Sequence, residues 1–202
     1  AGQRLAEAVR QCRQAGKAVV IQKGGRTAKG AATARSHTAS MSGSAEVFEA
    51  LIGEAGALVV ESETDFLDVV RLASLLGERR PEGPDLFLLN AAGYEGVLAS
   101  DEAARQGLEL PPPPPEVSRE LKPYLGDILD STNNPADVGP ATPDEAHGPV
   151  LDAALSAPCY HAAVVAVMPH GNGMRGMFPP YEGEGRMGSI LVDLADRHTK
   201  PL

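Results

Sequence analysis

Apolar positions Leu5, Val9 and Cys12 recur at helical spacing through residues 3–15, and Gly16 follows where a helix stop is expected. Ala18-Val19-Val20-Ile21, a short β-branched run between Lys17 and Lys23, predicts a buried strand of a parallel sheet. Residues 24–44 then lose nearly all large apolar side chains and fill with Gly, Ala, Ser and Thr, which predicts a loop outside the core. Ser44 is placed to cap a helix presenting Val47, Phe48, Leu51 and Ile52, ending near Gly56. Leu58-Val59-Val60 predicts the next strand. Thr64 is the expected cap of a longer helix whose stripe is Phe66, Val69, Val70, Ala73 and Leu76, ending at Gly77. Strands alternating with helices in this way predict a parallel sheet with helices on both faces.

Arg79-Arg80-Pro81-Glu82-Gly83-Pro84 is charged and broken by proline, the composition of an interdomain linker. Beyond it the pattern restarts. Leu86 to Leu89 predicts a strand, Asn90 to Gly96 a turn, and Val97, Leu98 and Ala104 a helix ending at Gly107. Pro111 to Pro115 predicts a stiff polyproline spacer. A helix over 144–156 leads to a strand over 162–168, and the Gly, Pro and Met-rich stretch 169–188 reads as a long loop. The expected boundaries are a first domain over 1–80, a linker over 81–84 and a second domain over 85–202.

Composition narrows the functional classes. The chain has 202 residues, 43% of them hydrophobic, and no apolar run near the roughly 20 residues of a membrane helix. A net charge of −9 argues against nucleic acid as a partner, because phosphate backbones select clustered Lys and Arg. Cys12 and Cys159 are too few and too far apart for a disulfide framework, so the expected location is a reducing cytoplasm.

Two places could carry chemistry. Neutral histidine is nucleophilic and can hold a phosphoryl group when N–H and hydroxyl donors surround the phosphate oxygens. His37 stands among Ser36, Thr38, Ser40 and Ser42, with Gly24, Gly25, Gly30 and Gly43 nearby. Residue types alone leave two readings, a surface histidine in a polar loop or a phosphoryl carrier. The second place is Asn90-Ala91-Ala92-Gly93-Tyr94-Glu95-Gly96, where a strand-to-helix turn could turn a helix amino end toward an anion. Glu95 would oppose an anion there unless it points to solvent. His147, His161 and His198 lack partners at metal-ligand spacing and read as structural, and no metal site is expected. His170 follows a predicted strand and stays a weaker functional candidate.

The run Lys17 to Thr27, followed by Ala34-Arg35-Ser36-His37-Thr38-Ala39-Ser40-Met41-Ser42-Gly43-Ser44 and then Gly56 to Val60, resembles the NDP-forming acyl-CoA synthetases, relatives of succinyl-CoA synthetase. The resemblance continues through Asn90 to Gly96 and Asn134-Pro135-Ala136-Asp137-Val138-Gly139, and covers about residues 1–168. It implies α/β, flavodoxin-like three-layer units with parallel sheets, one partial and amino-terminal, the other a further ligase domain. It implies that phosphate attacks an acyl-CoA, that His37 takes the phosphoryl group from the acyl phosphate, and that a nucleoside diphosphate then receives it. Ser36, Thr38 and Gly43 would hold phosphate beside His37, and Asn90, Ala92, Gly93 and Gly96 would hold it at the second turn.

The same resemblance implies CoA and ATP or ADP, with Mg2+ on the nucleotide, bound mostly by segments absent from this chain. Partners would be ATP-grasp and CoA-binding domains, in the same polypeptide or in a partner subunit, and a small-molecule acid. Oligomerisation is left open. The sequence departs from the family at Ala39 and Ala92, where glycines are usual, and each methyl group could crowd a phosphate. An alternative is a non-catalytic module sensing acyl-CoA or nucleotide, of the kind fused to lysine acetyltransferases; a third is a structural domain. The absent segments imply a piece of a longer polypeptide that would not complete the reaction alone.

Overall fold

In the computed structural model, described for residues 2–38, 44–77, 79–125, 133–168 and 185–202 with the side chains of His37 and Thr38 outside that description, the chain divides into two units between Gly77 and Glu78.

The first unit runs α1 (Gly2–Gln14), β1 (Val20–Gln22), α2 (Ala28–Thr38), α3 (Ala45–Glu54), β2 (Leu58–Val60) and α4 (Glu63–Leu76). Strands β1 and β2 pair in parallel, Val20 opposite Leu58 and Gln22 opposite Val60. Ala6 and Val9 of α1 meet Ile52 of α3, Ala55 and Ala57 in a core completed by Val19, Ile21, Phe48, Leu51 and Val59. Ser44 does cap α3, its Oγ accepting from Val47 N at 3.3 Å. Two expectations are corrected. Residues 28–38 form a helix inside the stretch expected to be loop, because Ala, Lys and Arg favour helix even where no apolar stripe advertises it. Helix α4 starts two residues earlier, capped by Ser62 and not by Thr64: Ser62 Oγ accepts from Asp65 N at 3.0 Å while Asp65 Oδ2 accepts from Ser62 N at 3.3 Å.

The second unit runs β3 (Leu86–Asn90), α5 (Gly93–Arg105), α6 (Pro115–Leu121), a 3-10 turn (Lys122–Tyr124), β4 (Ala136–Asp137), α7 (Asp144–Ser156), β5 (Ala162–Ala166) and α8 (Met187–Arg197). Strand β3 lies between β4 and β5, all parallel. Phe87 and Leu89 of β3, Val117 and Leu121 of α6, Val150, Leu151 and Leu155 of α7, Tyr160 and Leu194 fill the core. Helix α6 begins at the last residue of the proline run, where proline's fixed φ and missing N–H suit a first helical position. Among the described residues no helix is long and apolar enough to cross a membrane, and no group of three His, Cys, Asp or Glu gathers to hold a metal.

The described histidines of the second unit are held by neighbours. His161 Nδ1 is 3.2 Å from Asp85 N and 3.2 Å from Asp85 Oδ2, and His198 Nε2 is 2.6 Å from Asp152 Oδ1. His147 is buried with Nδ1 3.1 Å from Pro143 O. Burial pushes its pKa below the usual imidazole value of 6.5, opposed by the backbone at Pro143 and by Asp144. Residues 169–184, including the candidate His170, lie outside the described residues.

Two tests follow from this packing. Leu151→Ala, at a site with no solvent exposure, is expected to lower the unfolding free energy by about 3 kcal/mol in urea, whereas Leu75→Ala on the surface of α4 should change it by under about 0.5 kcal/mol. Because the folded pKa of His147 is depressed, the unfolded chain takes up its proton first. Its stabilising contribution is present above pH 6.5 and is lost as pH falls from there through the folded value. His147→Gln should therefore flatten the loss of thermal stability between pH 7.5 and 5, and an unchanged slope would assign that loss to other groups.

Candidate functional site

In the first unit, the turns leaving β1 and β2 lie at the carboxyl edge of the sheet, where parallel α/β folds place ligands. Gly25 takes φ +72°, a left-handed conformation that turns the chain from β1 into α2. Thr27 Oγ1 accepts from Gly30 N at 3.1 Å and so caps α2. Arg26 braces this corner. Its Nη2 donates to Glu61 Oε1 at 2.7 Å, and its Nη1 forms an ion pair with Glu49 Oε1 at 2.7 Å. The Arg26 side chain is only 28% exposed, so the charge is partly withdrawn from water.

The Ser36-His37-Thr38 motif occupies the last residues of α2. Ser36 is exposed, and its Oγ donates to Thr33 O at 2.7 Å, back along the helix. The side chains of His37 and Thr38, and Gly43 and Ala39 entirely, lie outside the described residues. The structure thus gives the helix that presents His37 and not the surroundings of its imidazole.

In the second unit the candidate residues converge. Asn90 ends β3, and Ala92 precedes the first turn of α5 with φ −147° and ψ 127°. That is extended backbone open to any residue, so the alanine in place of glycine imposes no strain. Gly93 is the first residue of α5, and Gly96 closes its first turn. Ala92 supplies no side-chain cap. Its carbonyl instead accepts from Glu95 N at 3.0 Å, Gly96 N at 3.3 Å and Asn90 Nδ2 at 2.8 Å.

The Asn90 contact fixes which end of its amide is which. Asn90 is 1% exposed, and its Oδ1 is buried without a hydrogen-bond partner. Gly96 makes room for it: a Cβ there would stand 3.2 Å from Nδ2 and 3.3 Å from Oδ1. An open cleft of about 300 Å³ lies alongside, lined by Asn90, by Gly93, Gly96, Val97, Ser100 and Asp101 of α5, and by Pro135 and Asp137. Asp137 Oδ1 accepts from Gly139 N at 2.9 Å, and its Oδ2 would be 3.3 Å from a Cβ at Gly93. Glu95 does not line this cleft, although its Oε2 is buried and unpartnered.

Asp137 was not among the residues singled out from the sequence. Its signal was the short Ala136-Asp137-Val138-Gly139 segment, an acidic residue between a strand and a glycine turn. Its approach to α5 depends on the pairing of Asn90 with Asp137 across 47 positions, which local pattern does not encode.

Residues 1–73 match the family model of the succinyl-CoA ligase like flavodoxin domain. The alpha subunit of ADP-forming acetate–CoA ligase I from Pyrococcus furiosus is 32% identical over 74% of this chain and 31% of its own. The ADP-forming 4-hydroxybutyrate–CoA ligase of Nitrosopumilus maritimus is 27% identical over 92% of this chain and 25% of its own. Among solved structures, the dinucleotide forming acetyl-coenzyme A synthetase 1 of Ca. Korarchaeum cryptofilum, in complex with phosphate and ADP, superposes with a TM-score of 0.76 at 26% identity, covering 96% of this chain and 40% of that one. The chain is similar to the NDP-forming acyl-CoA synthetases, relatives of succinyl-CoA ligase, over part of their length.

It spans about a quarter to a third of the length of these curated relatives. PH0766 from Pyrococcus horikoshii shares the fold at 18% identity and a TM-score of 0.65. The α/β architecture with flavodoxin-like parallel sheets agrees with these likenesses. In this chain, the cleft between α5 and β4 gathers Asn90, Gly93 and Gly96, while Ser36 lies in the other unit.

Two glycines of the cleft should respond differently to a methyl group. Gly96→Ala presses on Asn90, which is buried and tied to Ala92, and is expected to destabilise by about 1–2 kcal/mol. Gly93→Ala meets the half-buried Asp137, which can shift, and should stay within about 0.5 kcal/mol of the parent in urea unfolding. Equal effects would show that Asn90 is not held as described.

Proposed function

We propose that this chain is the phosphoryl-carrying part of an NDP-forming acyl-CoA synthetase, an acid–thiol ligase that interconverts acyl-CoA, phosphate and a nucleoside diphosphate with acid, CoA and a nucleoside triphosphate. The observation that carries the reading is the family match over residues 1–73, which contains the strand, the capped helix α2 and His37. The names of the relatives, all ADP-forming CoA ligases, support the same reaction class.

In this reading phosphate displaces CoA from the acyl thioester, giving an acyl phosphate. A neutral nitrogen of His37 then attacks phosphorus, and the carboxylate leaves as the free acid. The nucleoside diphosphate takes the phosphoryl group from His37 in turn and restores the imidazole. Ser36 and Thr38 hydroxyls and the backbone at Gly43 are assigned to the phosphate oxygens around His37. The N–H groups of Gly93 and Tyr94, the first two residues of α5 after the uncapped Ala92, lie ahead of the first intrahelical bonds and suit an anion. Asn90, Ala92, Gly93 and Gly96 are therefore assigned as a second phosphate-holding element. CoA, Mg2+ and the nucleotide are assigned to CoA-binding and ATP-grasp domains in the same polypeptide or a partner subunit, and the whole to the cytoplasm.

The departure at Ala39 favours a competing reading, a sensing module that binds acyl-CoA or nucleotide without a phosphoenzyme. Incubation of the intact protein with ATP labelled at the γ-phosphate separates the two. The ligase reading expects acid-labile, base-stable label on the protein that falls to background in His37→Asn. Label persisting in that variant, or ligand binding with no phosphoenzyme in the parent, would overturn it.

A further inference from the structure

We infer that the cleft between α5 and β4 selects a tetrahedral oxyanion that carries a proton, inorganic phosphate or arsenate, over one that carries none, such as sulfate. Asn90 Oδ1 and Asp137 Oδ2 act as acceptors for the anion's O–H. The inference rests on the reading that the amino end of α5 holds phosphate, and adds what kind of anion it admits.

The walls of the cleft are of two chemical kinds. One is the start of α5, where the N–H groups of Gly93 and Tyr94 precede the first intrahelical bonds and Ala92 provides no side-chain cap; it attracts any oxyanion. The other is made of acceptors. Asn90 Oδ1 is buried with no partner in a side chain whose Nδ2 is already committed to Ala92 O. Turning the amide over would break that bond, so the buried oxygen is what the side chain offers a ligand. Asp137 stands beside the first residue of α5, its Oδ2 3.3 Å from where a Cβ of Gly93 would be. Its other oxygen accepts from Gly139 N at 2.9 Å. Asp101 adds a second carboxylate to the lining.

A site meant for any anion gains nothing from carboxylates at its rim, since they repel each anion alike. A protonated anion changes the sign of that contact. HPO4(2−) and H2PO4(−) retain a P–O–H, which can donate to a carboxylate in a short charge-assisted hydrogen bond, or to the orphaned Asn90 oxygen. Sulfate at neutral pH is fully ionised and offers only acceptors. Placed in this cleft, it leaves Asn90 Oδ1 unpaired and faces Asp137 without compensation. Sites built around a ligand's O–H reject the analogue lacking it by orders of magnitude, and one such bond in an open cleft should give roughly tenfold or more.

Calorimetric titration of the intact protein with potassium phosphate, arsenate and sulfate, at matched ionic strength, tests this. Phosphate and arsenate are expected to bind, and sulfate roughly tenfold or more weakly. In Asp137→Asn an N–H donor becomes available where only acceptors stood, so sulfate should gain, phosphate should lose, and their ratio should fall toward one. Far-UV circular dichroism checks that the variant is folded, and the parent's phosphate-to-sulfate ratio tests the inference without any variant. Equal binding of phosphate and sulfate by the parent overturns the selectivity while leaving an anion site at α5. Anion binding that is absent, or indifferent to Asp137→Asn, overturns both the selectivity and the assignment of phosphate to this cleft.

Discussion

Leu89 and Asn90 of β3 pair on one side with Ala136 and Asp137 and on the other with Val165 and Ala166. Because all three strands run the same way, every connection must return the chain to the same starting edge, and every strand delivers its last residue to the opposite one. That register sets the chemistry of the second unit. It brings an amide from one strand and a carboxylate from another together beside the amino end of α5. The apolar side chains that enforce the register, Phe87, Leu89, Ala136 and Ala163, belong to the core. Shifting a strand by one residue would turn Asn90 or Asp137 to the other face and unpack the core at once, so packing and site geometry are specified together. The first unit repeats the logic with two strands, whose carboxyl edge gathers Gly25, Arg26 and Glu61.

What could be read from the sequence was what burial writes into it. The runs at Val20-Ile21, Leu58 to Val60, Leu86 to Leu89 and Ala162 to Ala166 are strands, apolar along their length as parallel strands are, although Leu58 and Val164 stay about half exposed. Ser44 and the strand-to-helix turn after Asn90 were legible because caps and such turns depend on neighbours within a few positions, but the turn is shorter than the expected Asn90 to Gly96, since α5 begins at Gly93. Helix α2 was not legible, since none of its described residues is fully buried and it leaves no apolar period; its signal lies in alanine propensity diluted by glycine, serine and threonine. Helix α6 hid behind the proline run that starts it, and α8 behind a glycine-rich approach. Ser62 was passed over for Thr64 because the two lie two residues apart, and only the reciprocal bond with Asp65 decides between them. Asp137 was out of reach for a different reason: its role comes from a strand partner far along the chain.

The two chemical elements differ in how much of them the structure defines. Helix α2 carries the Ser36-His37-Thr38 motif that the family match encloses. The α5 cleft is defined atom by atom, and there the departure from the family's paired glycines proves mild, because Ala92 adopts a backbone open to any residue. The residue that tolerates least is Gly96, whose missing side chain is the space in which the Asn90 amide lies.

Asn134 has a bearing on how this fold accommodates change. Its Oδ1 accepts from Leu88 N at 2.9 Å, and its Nδ2 donates to Leu86 O at 2.6 Å and to Pro111 O at 3.0 Å. One side chain therefore fastens the point where the chain leaves after α5 to the point where it returns to β4. Tyr160 adds a second tie, its hydroxyl 3.2 Å from Pro111 O. With both feet pinned, the excursion between Pro111 and Asn134 behaves as a closed handle. Lengthening such a handle costs only slowly rising loop entropy, and the clasp keeps the change from reaching Asp137 three residues further on. The clasp thus sets the cleft beside α5 apart from the excursion between its two feet, whose helix α6 is itself anchored in the core through Val117 and Leu121.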